Sequence, residues 1–149
     1  MACCITVNGS NFDVDGFLSQ TKLDGIHIRR KGDLLPKGRV LKQSEISMDL
    51  CEADVDVGLT EQIQKTIAFL KKNKKELKRL SKYSGVDEVY ISFGIPLRDE
   101  VAIFDFFPAE LLSLAGSIGL GIHLCQFRCR DEPVAKRPGK KSERVRLNP

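Results

Sequence analysis

Cysteine and histidine are the residues of this chain best suited to metal binding or nucleophilic catalysis. The five Cys are at positions 3, 4, 51, 125 and 129, and the two His are at positions 27 and 123. A zinc site needs three or four ligands whose orientation is fixed by further hydrogen bonds. Both His instead occur in the strand-like pattern Gly-Ile-His-(Ile/Leu), so we expect each to lie on the polar side of a strand. The sequence thus predicts no metal site and no cofactor.

The spacing of the cysteines argues against a disulfide or a shared metal ion. Cys125 and Cys129 would share one face of a strand with α-carbons about 13 Å apart, too far for a disulfide or a common metal ion. Cys3 and Cys4 would point to opposite faces of theirs, and burial as small apolar side chains is the favoured role for these thiols. A nucleophilic cysteine beside His123 stays open as an alternative, although no acid to orient the imidazole is apparent. We therefore expect a protein that is not an enzyme.

Two glycine motifs match loops that bind nucleic acids or nucleotides. Gly116-Ser-Ile-Gly119 has the pattern of the loop with which KH domains clamp a nucleic-acid backbone, but it precedes a predicted strand and carries no charge. Gly119-x-Gly121 lacks the third glycine and the downstream acid of a dinucleotide-binding loop. We interpret Gly116-Ser-Ile-Gly119 as a helix stop followed by a tight turn.

Charged residues at loops and strand ends form the best candidate binding surface. Arg29-Arg30-Lys31 runs into a loop over residues 32–39 that contains Gly and Pro. Arg binds carboxylate or phosphate groups through two parallel hydrogen bonds, so such a cluster suits an acidic partner. A second basic run lies on the long helix predicted below and is typical of a solvated helix face. The residues that we predict to bind a partner are Arg29, Arg30, Lys31, Asp33, Arg39, Arg98 and Asp99.

The elements that must position these residues follow from the apolar periodicity. Apolar residues at helical spacing from Ile63 to Leu80 predict a long helix over residues 60–82. Alternating patterns predict strands, including a pair over 86–95 and 100–106. The predicted order is β-α-β-β-α-β-β-α-β, whose first six elements match the ferredoxin-like order. We therefore expect an α+β two-layer sandwich with a mixed sheet, helices on one face, and a β-α-β unit added to the ferredoxin-like part.

Length and composition indicate a single α/β domain over residues 1–130, followed by a basic mobile tail over residues 131–149. The chain has a net charge of +4, and the tail supplies about three of these units. The domain itself is nearly neutral, so its charge does not demand nucleic acid as a partner. An odd number of Cys and the lack of an export signal predict reduced thiols and a cytoplasmic location.

Four short motifs are spread along residues 3–130. They are Arg30-Lys31-Gly32-Asp33, Phe93-Gly94-Ile95, Pro108-Ala-Glu-Leu-Leu and Gly119-x-Gly121-Ile-x-Leu. These motifs resemble those of a family of small bacterial domains of unknown function. The resemblance implies a shared fold and supplies no catalytic residues. Some small bacterial domains of this kind occur beside toxin genes as immunity proteins, so the resemblance also implies a toxin as partner.

Together these observations favour a non-enzymatic protein-binding module, most specifically a bacterial immunity protein that neutralises a cognate toxin by direct binding. We expect that toxin or another protein as partner, no contact with a membrane, and a monomer or weak dimer. The alternative is a nucleic-acid-binding domain that uses the basic loops, the Lys-rich helix and the tail. The scarcity of aromatic residues on the predicted strands argues against recognition of single strands. A small-molecule regulatory domain is also compatible with the predicted fold.

Overall fold

A computed structural model of the chain describes residues 3–51, 58–98 and 101–127. Its strands are β1 (Cys3–Gly9), β2 (Ile26–Arg29), β3 (Leu34–Leu35), β4 (Arg39–Val40), β5 (Ser44–Asp49), β6 (Glu88–Pro96) and β7 (Gly121–Phe127). Its helices are α1 (Val14–Leu18), α2 (Leu59–Leu80) and α3 (Ala109–Ile118). The predicted tail over residues 131–149 lies outside the described residues.

Five strands form one mixed sheet in the order β2-β5-β1-β6-β7, while β3 and β4 form a separate two-stranded hairpin. Within the part β2-β5-β1-β6, each pair of neighbouring strands is antiparallel, which is the arrangement of a ferredoxin-like sheet. The strand β7 is added at the edge and runs parallel to β6, as expected when a helix connects two neighbouring strands. The predicted α+β sandwich with a mixed sheet is confirmed.

The core lies between one face of the sheet and the helices. On β1 the alternate residues Cys3, Ile5 and Val7 are almost fully buried and belong to the same apolar cluster as Leu70 and Leu77 of α2. The apolar residues of α2 are spaced three, four or seven positions apart, so they lie on one side of the helix, and this side faces the sheet. The predicted long helix is confirmed to within two residues at each end.

A serine joins the ends of the two longer helices. The Ser81 hydroxyl donates to the Ile118 carbonyl at 2.6 Å, just beyond the last residue of α2. Gly119 follows α3 in the left-handed conformation, with φ 93°, and its N–H donates to the Ala115 carbonyl. Gly116 lies within α3, so the motif that matched a KH loop is a helix end followed by a turn, as predicted.

One predicted strand is wrong. Residues 101–107 contain no strand, although the sequence alternates there and the burial alternates with it. The half-buried Phe107 packs against Phe93 at 5.5 Å between ring centroids, whereas Phe104 and Phe106 are exposed. An alternating sequence predicts which side chains face the core. A strand also needs hydrogen bonds to the backbone of a neighbouring strand, and the described residues provide none for this segment. The added β-α-β unit therefore consists of β6, α3 and β7. Its first strand is β6 itself, which also belongs to the ferredoxin-like part, and not the separate strand predicted over residues 100–106.

Candidate functional site

Most of the residues predicted to bind a partner lie in or beside one hairpin over residues 30–43, called the hairpin loop below. Two backbone hydrogen bonds close its base, one from Gly32 N–H to the Leu41 carbonyl and one from Leu41 N–H to the Asp33 carbonyl, both at 2.9 Å. Gly32 has φ 95°, a conformation that side chains disfavour. Pro36 begins the short 3-10 turn that reverses the chain between β3 and β4. The loop predicted over residues 32–39 is thus a small hairpin that projects from the sheet.

Arg30 and Asp33 hold this hairpin in place. The Asp33 carboxylate accepts a hydrogen bond from the Arg30 N–H at 2.6 Å. The Arg30 side chain donates to both oxygens of Asp15 on α1, at 2.6 and 3.4 Å. These hydrogen bonds lower the pKa of the Asp15 carboxyl and raise that of the Arg30 guanidinium. Both residues therefore have structural partners already, which sets them apart from the rest of the predicted surface.

The other cations of this region differ in whether they have an ion-pair or hydrogen-bond partner within the molecule. Arg29 lies 3.5 Å from the Glu45 carboxylate on the neighbouring strand β5. The Lys31 ammonium donates to the Ser10 carbonyl at 3.2 Å. By contrast, no acidic group among the described residues lies within ion-pairing distance of Arg39. Arg39 is therefore the predicted residue whose charge is most available to a partner.

Two apolar side chains accompany Arg39 on the hairpin loop. Leu34 and Val40 face each other across β3 and β4, and they are 78% and 56% exposed. Lys37 occupies the turn between them with φ 67°. An exposed pair of aliphatic residues surrounded by cations is the composition of an interface anchor rather than of an ordinary solvated turn.

An open cleft of about 500 Å³ separates the hairpin loop from the sheet. It is lined by Asn8, Leu35, Arg39, Val40, Leu41, Lys42, Gln43 and Glu45. The buried Oδ1 atom of Asn8 accepts no hydrogen bond from the described residues. A partner group that enters this cleft would meet aliphatic walls and the Arg39 cation, so the cleft suits a polar side chain next to an apolar one.

The sheet face opposite the helices is polar. His27 of β2 lies 3.2 Å from Asp49 of β5, and His123 of β7 stacks on Tyr90 of β6 with ring centroids 4.1 Å apart. Both His lie on the polar side of their strands, as the sequence predicts. Groups of three or more His, Cys, Asp or Glu arranged to hold a metal ion do not occur among the described residues.

Burial disfavours the thiolate form of three cysteines. Burial raises the pKa of Cys3 to about 12, despite a contact of 3.2 Å with the Thr66 hydroxyl. Burial also raises the pKa values of Cys4 and Cys51. The predicted buried role is confirmed for Cys3 and Cys4 and is wrong for Cys125, which is exposed. Cys51 is buried as well, and Cys129 lies outside the described residues. Cys125 lies on the edge strand β7, on the same face as His123 and opposite the helices, so none of the described helices covers it.

Arg98 lies at the other end of the molecule from the hairpin loop. It follows the carboxyl end of β6, whereas Asn8 and Glu88 pair near the hairpin at the amino end, roughly 26 Å away at the usual strand rise. Its guanidinium makes two hydrogen bonds with Asp105, at 2.7 and 2.8 Å. The structure therefore does not bring Arg98 together with the other predicted residues, and Asp99 lies outside the described residues.

Sequence reasoning missed the apolar part of this surface. Leu34-Leu35 and Arg39-Val40 flank the turn residues Pro36-Lys37-Gly38, a pattern typical of a short hairpin. We interpreted the whole stretch as a loop because of its Gly and Pro content. The hairpin signal was present, but which of its apolar residues stay exposed depends on packing that local sequence does not specify.

The fold and the surface define a small α+β domain with a projecting, positively charged hairpin beside a cleft. The chain belongs to a family described as a domain of unknown function, DUF4279, which matches residues 1–127. The predicted membership of a family of unknown function is confirmed. No curated protein matches the chain. No solved structure matches it either. Within the described residues, no helix combines the length and apolar character needed to cross a membrane.

Proposed function

We propose that this domain is a non-enzymatic protein-binding module and that the hairpin loop is its binding surface. The observation that carries the proposal is the exposed pair of Leu34 and Val40 beside Arg39 at the mouth of the cleft. Tight interfaces depend on a few buried anchors surrounded by a polar rim, and complementary charge directs the encounter. The aliphatic pair supplies the anchor, and Arg39, Lys37 and Lys42 supply the positive rim.

The specific role that we propose is that of an immunity protein, which neutralises a cognate toxin by direct binding. The basic rim of the hairpin loop favours an acidic surface on that toxin. An inhibitor of this kind must bind its toxin before damage is done, so we place the domain in the cytoplasm, where its cysteines stay reduced. The resemblance to small bacterial domains found beside toxin genes supports the same choice of partner.

The test is the affinity of the domain for the product of the neighbouring gene, measured by titration calorimetry. We expect Arg39→Glu and Leu34→Ser each to weaken binding by at least about tenfold, since each removes a rim charge or an anchor. Both residues are exposed, so the melting temperature should stay close to that of the unaltered protein.

Lys75→Glu is the matched control because Lys75 is exposed on α2, on the opposite side of the sheet from the cleft. It makes the same change of charge as Arg39→Glu and should leave the affinity unchanged. Equal affinities for all three variants would refute the assignment to the hairpin loop. A loss confined to Lys75→Glu would move the binding surface to the helix.

Nucleic-acid binding is the second candidate, and the stacked pair of Tyr90 and His123 favours it. Aromatic residues on the open face of a ferredoxin-like sheet are the platform on which RNA-binding domains stack bases. The same face carries the carboxylates of Glu45 and Asp49, which repel phosphate and make this candidate the weaker one. It predicts that affinity for a single-stranded oligonucleotide falls steeply with salt and is lost in Tyr90→Ala.

A further inference from the structure

The edge strand β7 lacks the features that usually keep sheet edges apart. It contains seven residues, Gly-Ile-His-Leu-Cys-Gln-Phe, with no Lys, Arg, Asp, Glu or Pro, and all but Ile122 are exposed. Native proteins protect such edges with charged residues, Pro, bulges or short strands, because unpaired backbone groups otherwise attract another strand. The opposite edge, β2, is protected in this way, since it has four residues and ends in Arg29.

The charge-poor surface extends beyond the strand itself. Between Ala109 and Phe127 the chain contains one charged residue, Glu110. Its carboxylate is already paired with the Lys71 ammonium at 2.6 Å. In a chain with 30% charged residues, α3 and β7 together form a segment that another copy of itself would not repel.

The backbone hydrogen bonds of β7 show which of its groups face outward. The Phe127 carbonyl accepts from the Leu97 N–H at 2.7 Å, so Phe127 directs its backbone groups toward β6. Successive residues of a strand point their N–H and C=O groups to opposite sides. The outward residues are therefore Ile122, Leu124 and Gln126, with Leu124 at the centre of the strand.

We propose that β7 is a dimerisation edge and that it pairs antiparallel with β7 of a second copy around Leu124. This register places Leu124 opposite its own equivalent and Ile122 opposite Gln126 of the second copy. All three outward residues of each strand then pair, which gives about six hydrogen bonds between the copies. The two five-stranded sheets become one continuous sheet with twofold symmetry.

Side chains fit this register on both faces of the sheet. The two Leu124 side chains, each 38% exposed, meet on the face that carries the helices. On the other face Phe127 lies opposite Gly121 of the second copy, so the aromatic ring occupies the space left by a missing side chain. The hairpin loop lies beyond β2 and β5, at the other edge of the sheet, and stays accessible in both copies.

The first test is sedimentation of the full chain over a range of concentrations. The unaltered protein should show a monomer–dimer equilibrium, and Leu124→Lys should be monomeric because two ammonium groups would meet at the twofold axis. Ile28→Lys is the matched control, since Ile28 is equally exposed, at 38%, on the opposite edge strand. It should dimerise like the unaltered chain.

A mixture of Leu124→Lys with Leu124→Glu separates loss of pairing from loss of folding. The opposite charges face each other in this register, so the mixture should form a heterodimer, which a misfolded variant would not do. A chain that is monomeric at all concentrations would overturn the proposal. Dimers that appear only when residues 131–149 are removed would also overturn it, because the tail would then be the occupant of the edge.

A disulfide tests the register directly. His123 would lie opposite Cys125 of the second copy in a pair without ladder hydrogen bonds, where α-carbons are about 4.5 Å apart, within disulfide range. With Cys129 replaced by Ser, His123→Cys should form a covalent dimer on mild oxidation. His27→Cys, the equivalent change on β2, should not. Equal crosslinking of the two variants would contradict the proposed pairing.

Discussion

Two neighbouring arginines of the hairpin loop have different roles. Arg30 forms an ion pair with Asp15 and a hydrogen bond with Asp33, whereas Arg39 lies at the cleft with no acidic group of the described residues within ion-pairing distance. Sequence alone assigned both to one binding set, because an Arg in a loop has the same pattern whether its partner is internal or external. The side chain's actual partner, here on α1, is a long-range fact that the local sequence does not contain.

This difference gives a prediction for a charge exchange. Arg30→Asp should weaken partner binding because the hairpin loses its tie to α1, and the double variant Asp15→Arg with Arg30→Asp should restore it. Calorimetric affinities for the neighbouring-gene product measure both effects. If the double variant binds as poorly as Arg30→Asp alone, Arg30 contacts the partner itself and is not a positioning residue.

Because the thiol of Cys3 is buried, we expect the stability of the fold to decrease at alkaline pH. Its pKa is about 12 in the folded chain, against 9.0 for an unperturbed thiol, because burial disfavours the thiolate. The folded state therefore keeps a proton that the unfolded state loses. The stabilisation is complete below pH 9 and decreases as the pH rises from 9 toward 12.

We expect urea unfolding to show a lower free energy at pH 10.5 than at pH 8, and a smaller decrease for Cys3→Ala. Cys125→Ala is the control, because Cys125 is exposed and its replacement should leave the pH dependence unchanged. An unaltered pH dependence in Cys3→Ala would mean that other groups cause the alkaline loss.

At the scale of elements, replacement of glycine by alanine should have opposite effects on stability at two positions. Gly85 has φ 82°, and a β-carbon there would lie 2.0 Å from the Asn11 carbonyl oxygen, which is backbone and cannot give way. Gly116 lies in α3 with open space around it. We expect Gly85→Ala to destabilise the fold by at least about 3 kcal/mol. Gly116→Ala should stabilise it by about 1 kcal/mol, since Ala is the better helix former.

Chemical denaturation of both variants measures these values. Far-UV circular dichroism at low denaturant confirms that each variant starts from the same fold. A stable Gly85→Ala would show that the turn between α2 and β6 has an alternative conformation. Destabilisation by Gly116→Ala would indicate that another group packs closely against this side of α3.

Local periodicity explains which elements the sequence predicted well. The long helix α2 was placed nearly correctly because its apolar stripe repeats over 22 residues and only one period fits it. The short β3-β4 hairpin and the segment over 101–107 were misjudged because a strand is defined by its partner. Phe104 and Phe106 read as members of a strand, yet they project into solvent at the end of the molecule where Arg98 binds Asp105.

At the scale of the whole molecule, the surface divides into regions of different character. The hairpin loop is basic with an aliphatic pair, the open sheet face mixes carboxylates with a stacked Tyr90–His123 pair, and the β7 edge is uncharged. The two proposed interfaces, the hairpin loop for a protein partner and the β7 edge for a second copy, therefore lie apart and would not compete. The fold order could be predicted from sequence, but this distribution depends on which strands become edges.

The measurement that tests the central claim most directly is a paired capture experiment from the native host, with the neighbouring gene co-expressed. The unaltered domain and Arg39→Glu serve as baits at low and at moderate salt. We expect one stoichiometric protein to remain with the unaltered domain at moderate salt and to be absent with Arg39→Glu. Nucleic acid that washes away with salt, or a protein held equally by both baits, would contradict the account of the hairpin loop as a protein-binding surface.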